Sequence, residues 1–414
     1  MSRLRQRVIG CSAVAAALLA VAVPAASAAT PAGLLHASSA AGSATVAATG
    51  INDNLNGDSC TGSSFCMAVG NYTLGAQLAA PLAERLSGGI WATELVPSPA
   101  HGANVFANEV SCASPASCLL VGAHWAGKNG PSANLAEAWN GTSWRIVTAP
   151  APVRKGIAGL NDVACPTVRF CMAVGQSGLS SRGKDSAYTW TNGTTWRQIS
   201  APRVAGARNS EFGGLACFNA RNCMAVGSYQ KRLGHSIPFA ARWHNGRWQL
   251  LATPAVRGQV LTLFQSISCP AATLCIAAGN TEDSSSHHYY HAFAEVWSKG
   301  KWHVSTLRAA PSLFIGVSCP ARNRCFASGY TFPSPTTYSR ALLETWNGQR
   351  WATQHAVQGP APTSGGALMH VSCASRSDCE AVGYRFNPST SNSTQTLAEK
   401  WTGSHWTLQT TVNP

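Results

Sequence analysis

One block recurs seven times along the chain and constrains it more than any other feature. It reads SCTGSSFCMAVG from Ser59, SCASPASCLLVG from Ser111, ACPTVRFCMAVG from Ala164, ACFNARNCMAVG from Ala216, SCPAATLCIAAG from Ser268, SCPARNRCFASG from Ser318 and SCASRSDCEAVG from Ser372. Every copy carries C-x5-C, and successive leading cysteines lie 52, 53, 52, 52, 50 and 54 residues apart. A second block fills each interval: AEAWNGTSW ending at Trp144, AYTWTNGTTW at Trp196, AARWHNGRW at Trp248, AEVWSKGKW at Trp302, LETWNGQRW at Trp351 and AEKWTGSHW at Trp406. The first unit has AERLSGGIW, with Leu86 in place of the leading Trp. Self-similarity at a long fixed period marks supersecondary units that cannot bury their apolar surface alone and must stack on their neighbours.

Each unit reads as four short strands. One leads into the first Cys, a second leaves the second Cys, a third ends at the first Trp and a fourth starts at the second Trp. The Asn-Gly, Lys-Gly or Thr-Gly step between the Trp residues supplies the positive φ that a tight hairpin needs. No stretch sustains a 3.6-residue period, so helix is expected to be nearly absent. Four strands per 50-residue unit and seven units predict an all-β fold, a seven-bladed β-propeller of antiparallel blades over 51–414. With no strand exchanged between the termini, ring closure is expected to rest on blade packing.

Of the 15 cysteines, one lies in the N-terminal apolar run and the other 14 fall in the seven blocks. The spacing suits one disulfide across the first turn of each blade: Cys60–Cys66, Cys112–Cys118, Cys165–Cys171, Cys217–Cys223, Cys269–Cys275, Cys319–Cys325 and Cys373–Cys379. Each such bridge is worth roughly 2 kcal/mol by the chain-entropy argument. Zinc is the competing reading, but paired thiolate ligands favour two to four intervening residues, and 14 thiols do not divide into four-cysteine sites. No metal and no cofactor are expected.

Residues 1–28 run from Arg3, Arg5 and Arg7 through an apolar stretch to Pro24-Ala25-Ala26-Ser27-Ala28, the order of a secretory signal cleaved after Ala28. Residues 29–50 read as a flexible Ala/Ser/Thr-rich lead-in, and no membrane span is expected. Without the signal the chain keeps 27 basic against 16 acidic residues, a net charge of +11. The basic residues are scattered with no run of four, which argues against a nucleic-acid partner and for weak attraction to an anionic envelope polymer.

Function in such a ring is expected at the loops of one face and at the channel mouth. Just after the second-strand Gly come Tyr72, His124, Trp125, Tyr229, Tyr330 and Tyr384, which would offer stacking platforms if they ring one face and would otherwise pack between blades. His287, His288 and His291 sit in a Ser-rich loop of the fifth unit. The repeated Glu two residues before the first Trp (Glu84, Glu137, Glu295, Glu344, Glu399) reads as structural. Of the other acids, Asp162, Asp185, Glu211, Glu282 and Asp283 form no recognisable pair.

The paired blocks SC-x5-C-x-A-V-G and A-E-x-W-N-G-x-x-W resemble the repeat of secreted β-propeller proteins of high-GC Gram-positive bacteria, and more loosely kelch and galactose-oxidase-type propellers. The resemblance implies fold and export but no reaction; the kelch Gly-Gly pair and recognisable copper ligands are missing. The expectation is a secreted, monomeric, non-catalytic binding module for a polysaccharide, a cell-envelope polymer or an extracellular protein. The alternative is a glycosidase-like hydrolase or lyase at the channel mouth, which needs two opposed carboxylates.

Overall fold

The computed structural model describes residues 52–413 apart from 75–77, 100–102, 127–130, 151–155, 180–181, 233, 255, 257, 284–288, 333–337, 358–364 and 388–392. The signal, the lead-in, His287 and His288 therefore lie outside the described residues. Among those described there is no helix, and hence none long and apolar enough to cross a membrane.

Blade 1 comprises β1 (Asn54–Gly62), β2 (Phe65–Leu74), β3 (Leu78–Ser87) and β4 (Ile90–Glu94), hydrogen-bonded in that order and antiparallel throughout. The same meander repeats as β5–β8 (103–146), β9–β12 (157–199), β13–β16 (209–251) and β24–β27 (366–409). Between them stand β17–β19 (259–298) and β21–β23 (324–354). They are joined by β20 (Lys301–Ala321), which is the outer strand of blade 5 as far as Pro311 and the inner strand of blade 6 from Ser312. The protein is a seven-bladed β-propeller.

All seven expected disulfides are present. They span the first hairpin of each blade, where for example Cys60 faces Cys66 across a two-residue turn. The Trp pairs face each other across the outer hairpin, with ring centroids 5.4 Å apart for Trp243–Trp248 and 6.1 Å for Trp190–Trp196. The expected positive-φ turn holds at Asn192-Gly193, Asn245-Gly246 and Lys299-Gly300. At Asn140-Gly141 and Asn347-Gly348 only Gly has positive φ, and the Asn side chain instead accepts the backbone N–H groups two and three residues on.

There is no single core. Seven apolar clusters lie one per blade interface, such as Phe65, Met67 and Val69 of blade 1 against Val105, Leu120 and Trp139 of blade 2. Both faces of every blade are thus buried, which is why the strands are apolar on both faces. Closure is more than the packing expected from sequence. Asn52 bridges Thr394 in parallel, the Asp53 N–H donates to the Thr394 carbonyl at 3.1 Å, and Trp91 Nε1 donates to Gln409 Oε1 at 2.7 Å.

The Ser that precedes the leading Cys has a structural reason. Its hydroxyl accepts the N–H of the leading Cys in the next blade: Ser59 from Cys112, Ser111 from Cys165, Ser268 from Cys319, Ser318 from Cys373, and Ser372 from Cys60 across the closure, at 2.9 to 3.1 Å. Ala164 and Ala216 lack the hydroxyl, so blades 3–4 and 4–5 go without this tie.

Candidate functional site

Every inner strand carries a β-bulge four residues before its leading Cys, opposite the Gly that ends the cysteine block. The bulge brings a carbonyl so close that a Cβ on Gly70 would lie 1.9 Å from the Asn54 oxygen, and on Gly175 2.1 Å from that of Gly159. The recurrent Gly is therefore a steric requirement. The bulged residues are Asn56, Asn108, Asn161, Gly213, Gln265, Ile315 and Met369, and the extra residue turns each of them to the ring axis. Together they line a cavity of about 70 Å³ with Phe106, Glu109, Asp162, Ser266 and His370.

The polar half of this ring is ordered by its own repeat. Asn56, Asn108 and Asn161 each donate from Nδ2 to a carbonyl of the next inner strand, of Ala107, Leu160 and Phe212, at 2.7 to 2.9 Å. One residue on, Glu109, Asp162 and His370 stand where other blades have Gly57, Gly214, Ser266 and Gly316. Asp162 accepts the Val163 and Leu215 N–H groups, both at 2.6 Å. Glu109 accepts the Val110 N–H at 2.9 Å through an oxygen that lies 2.4 Å from where a Cβ on Gly57 would sit. His370 Nδ1 meets Asp58 Oδ1 at 2.8 Å, and its Nε2 faces Glu109 Oε2 at 3.4 Å.

Burial dominates the electrostatics here. It raises Glu109 against the pull of His370, and Asp162 against its two backbone hydrogen bonds. Asp58, whose side chain is 0 % exposed, is also raised by burial, while His370 draws it down. For His370 burial favours the neutral ring, but Glu109, the hydrogen bond and charge of Asp58, and Asp162 outweigh it and push the imidazole up to about 10. An imidazolium clamped between Asp58 and Glu109 is the arrangement consistent with those distances. Among the described residues no group of three or more His, Cys, Asp or Glu is arranged to hold a metal ion.

A second, smaller cavity of about 30 Å³ shares Phe106, Asn108 and Asn161 with the first and adds Trp125, Ser132 and Gln176. It lies at the end of the strands that carries the second-to-third-strand loops. Trp125 stands edge-on to Phe106 with centroids 5.2 Å apart. Gln176 is buried, and its Oε1 has no hydrogen-bond partner among the described residues.

The six aromatic candidates do not form one ring. Counted from the second-strand Gly, Tyr330 and Tyr384 stand first, Tyr72, His124 and Tyr229 second and Trp125 third, so strand alternation sends them to opposite blade faces. Tyr229 packs on Phe239, Tyr330 on Phe332, Tyr384 on Phe386, and Tyr72 against the blade 7–1 core. His124 is half-buried, and burial lowers its pKa. Of the six, Trp125 lines the smaller of these two cavities and the other five line neither. His291 bonds Asp283 Oδ2 at 3.2 Å and the Arg308 carbonyl at 2.9 Å, away from the axis. Asp58, Glu109 and His370 escaped sequence reading; the available signals were the aligned column three residues before each leading Cys, which is Gly or Ser in four blades and ionisable in three, and the next column, where Asp58 replaces the Val, Leu or Ile of the other six.

No family model matches the chain, and no curated protein matches it in sequence. Among solved structures, the uncomplexed acylaminoacyl peptidase of Pyrococcus horikoshii is similar at TM-score 0.51 and 10% identity, over 88% of this chain and 53% of that one, so the likeness spans about half of the peptidase. YCF48 from Cyanidioschyzon merolae is similar at TM-score 0.46 and 12% identity, over 83% and 98% of the two chains. The β-propeller domain of the Trilobed protease from Pyrococcus furiosus gives 0.47 and 8% over 87% and 98%. At such identities the likeness concerns the fold alone.

Proposed function

We propose that this chain is a non-catalytic carbohydrate-binding module whose ligand enters the channel beside Trp125. The observation that carries the reading is the joined pair of cavities, lined by the carboxamides of Asn108, Asn161 and Gln176 and rimmed by an indole. Carboxamides exchange hydrogen bonds with sugar hydroxyls, the partnerless Gln176 oxygen can accept one, and an aromatic face covers the apolar side of a sugar ring. The channel acids favour binding over hydrolysis, because Asp162 is occupied by backbone N–H groups and Asp58 is sealed behind His370. On this reading residues 1–28 export the chain, 51–414 act as one unit, and the protein works outside the cell as a monomer.

The test is calorimetry of the secreted protein against a panel of plant, fungal and bacterial-envelope polysaccharides. Binding to at least one is expected, and Trp125→Ala should weaken it by about tenfold with unchanged melting temperature. Absence of binding across the panel refutes the proposal. Release of reducing ends that stops in Asp162→Asn or Glu109→Gln would replace it with the hydrolase reading, since Glu109 and Asp162 do share a cavity.

A further inference from the structure

The net charge of the chain is carried on its surface in an extreme form. All 16 acidic residues fall within the described part, and not one of them is exposed. Glu84, Glu137, Glu295, Glu344 and Glu399 are buried between blades; Glu109 and Asp162 face the axis, with Asp58 buried behind His370; Glu94 and Asp378 are paired with Arg85 and Lys400. Burial also pushes Glu84, Glu137, Glu295 and Glu380 up to about 8, so near neutral pH they add little negative charge. The cations are left to the solvent.

These cations are unevenly placed. On the disulfide-turn end of the strands they are spread around the ring. On the opposite end, which carries the channel mouth with Trp125, Arg182, Lys184, Arg203, Arg208, Lys231 and Arg232 are exposed and all belong to blades 3 and 4. Among the described residues only Arg340 is an exposed cation elsewhere at this end. The six sit on three neighbouring segments: the hairpin from β10 (Phe170–Leu179) into β11 (Arg182–Thr191), the connection into β13 (Asn209–Asn219), and the hairpin from β14 (Asn222–Arg232) into β15 (His235–His244). Contacts join these segments. The Asp185 N–H donates to Ser210 Oγ at 3.3 Å, and the Arg208 N–H donates to the Gln230 carbonyl at 2.8 Å. None of the six takes part in an ion pair among the described residues. The carboxylates of this sector, Asp185 and Glu211, are half-buried, and Asp185 is backed by Ser210.

We infer that the loop face of blades 3 and 4 binds an anionic carbohydrate polymer, a chain bearing carboxylate or phosphodiester groups, which runs from this patch to the channel mouth. Guanidinium forks match carboxylate and phosphate oxygens in pairs, and a single-sign surface beside a cleft draws such a chain in. The choice of a sugar polymer rests on the carbohydrate reading above; the charged surface stands without it. Nucleic acid is disfavoured because the one aromatic ring within the patch, Tyr229, is packed on Phe239 and offers no stacking platform.

The test measures binding of the full secreted protein to polygalacturonate, to the same polymer fully methyl-esterified, and to poly(glycerol phosphate). Raising NaCl from about 50 to about 200 mM should weaken binding to one of the charged polymers roughly tenfold, because exposed charges are screened over that range. The variant Arg182→Gln/Arg208→Gln/Lys231→Gln/Arg232→Gln should lose roughly tenfold or more, whereas Arg169→Gln/Arg221→Gln/Arg322→Gln/Arg376→Gln, which removes equal charge from the other end, should stay within about twofold. The two charged polymers separate a carboxylate from a phosphodiester ligand. Equal losses in the two variants, equal binding of the esterified polymer, or tighter binding to duplex DNA or phosphatidylglycerol vesicles would overturn the inference. Failure of the carbohydrate reading looks different: charged polymers still bind, but Trp125→Ala binds as well as the parent.

Discussion

The ring has two unlike halves. Around blades 7, 1, 2 and 3 the axis carries His370, backed by Asp58, together with Glu109, Asp162 and three Asn side chains that each donate to the next blade. Around blades 4, 5 and 6 the same positions hold Gly213 and Gly214, Gln265 and Ser266, and Ile315 and Gly316, with one comparable tie among the described residues, the Val317 N–H donating to Ser266 Oγ at 3.2 Å. Blades 4 and 5 pair Phe212 with Phe239 and Phe264 with Phe293 in the apolar clusters between blades. The same seven-fold scaffold thus permits either filling. The charged one spans the junction where the first and last blades meet, and there it adds a specific contact to apolar packing that every interface shares.

The largest expected effect separates the halves directly. His370→Leu leaves Asp58 buried without its counter-charge and should destabilise the protein by about 3 to 5 kcal/mol, while Ser266→Ala on the other half should lose about 1 kcal/mol. Denaturant titration reads both. The double variant Asp58→Asn/His370→Leu should recover much of the loss; if it is no better than His370→Leu, the pair is not the stabilising contact described here.

A smaller effect probes the fit of Glu109. Gly57→Ala would place a methyl group 2.4 Å from the Glu109 oxygen and should cost about 1 to 3 kcal/mol, whereas Gly62→Ala has open space around it and should be near neutral. Equal melting temperatures for the two variants would show that Glu109 is not held against blade 1.

The smallest effect concerns buried acids remote from the axis. Glu84 and Glu399 accept backbone N–H groups of the preceding blade, from Val412 and Val357, six residues after the second Trp, and Glu344 pairs with Arg308 at that same position. For Glu137 and Glu295 the position is Pro97 and Pro254, which have no N–H to give, and among the described residues none of their carboxylate oxygens has a partner. Burial alone lifts Glu295 to about 8. Below the unfolded value of 4.5 both states are protonated and the stabilising difference is complete; as pH rises toward 8 the unfolded chain loses the proton and the folded one keeps it, so stability falls. Glu295→Gln should flatten that decline in melting temperature between about pH 5 and 8. An unchanged slope would mean that Glu295 titrates normally.

Much of the fold was legible because repetition amplifies local signals. Cys pairs and Trp pairs face each other across hairpins only a few residues long, so their partners are neighbours in sequence as well as in space. The run of β20 from blade 5 into blade 6 was not legible, and neither was the parity that splits the aromatic candidates between two blade faces: a one-residue offset after the same Gly reverses a side chain. The axial cluster was hidden for a different reason. His370 and Asp58 stand 312 residues apart and in different columns of the repeat, and neither column looks like more than ordinary variation until the ring closes.

By itself the sequence determined the number of blades, the strand order within each, the seven disulfides and the cationic excess, since all of these follow from local spacing or composition. The tertiary structure alone decided which variable positions meet at the axis, that every carboxylate is withdrawn from solvent, and that six cations gather on one sector of one face. Those depend on the assembled ring: closure brings His370 and Asp58 from opposite ends of the chain into one low-dielectric space, while packing of neighbouring blades buries the carboxylates and leaves the cations at the surface.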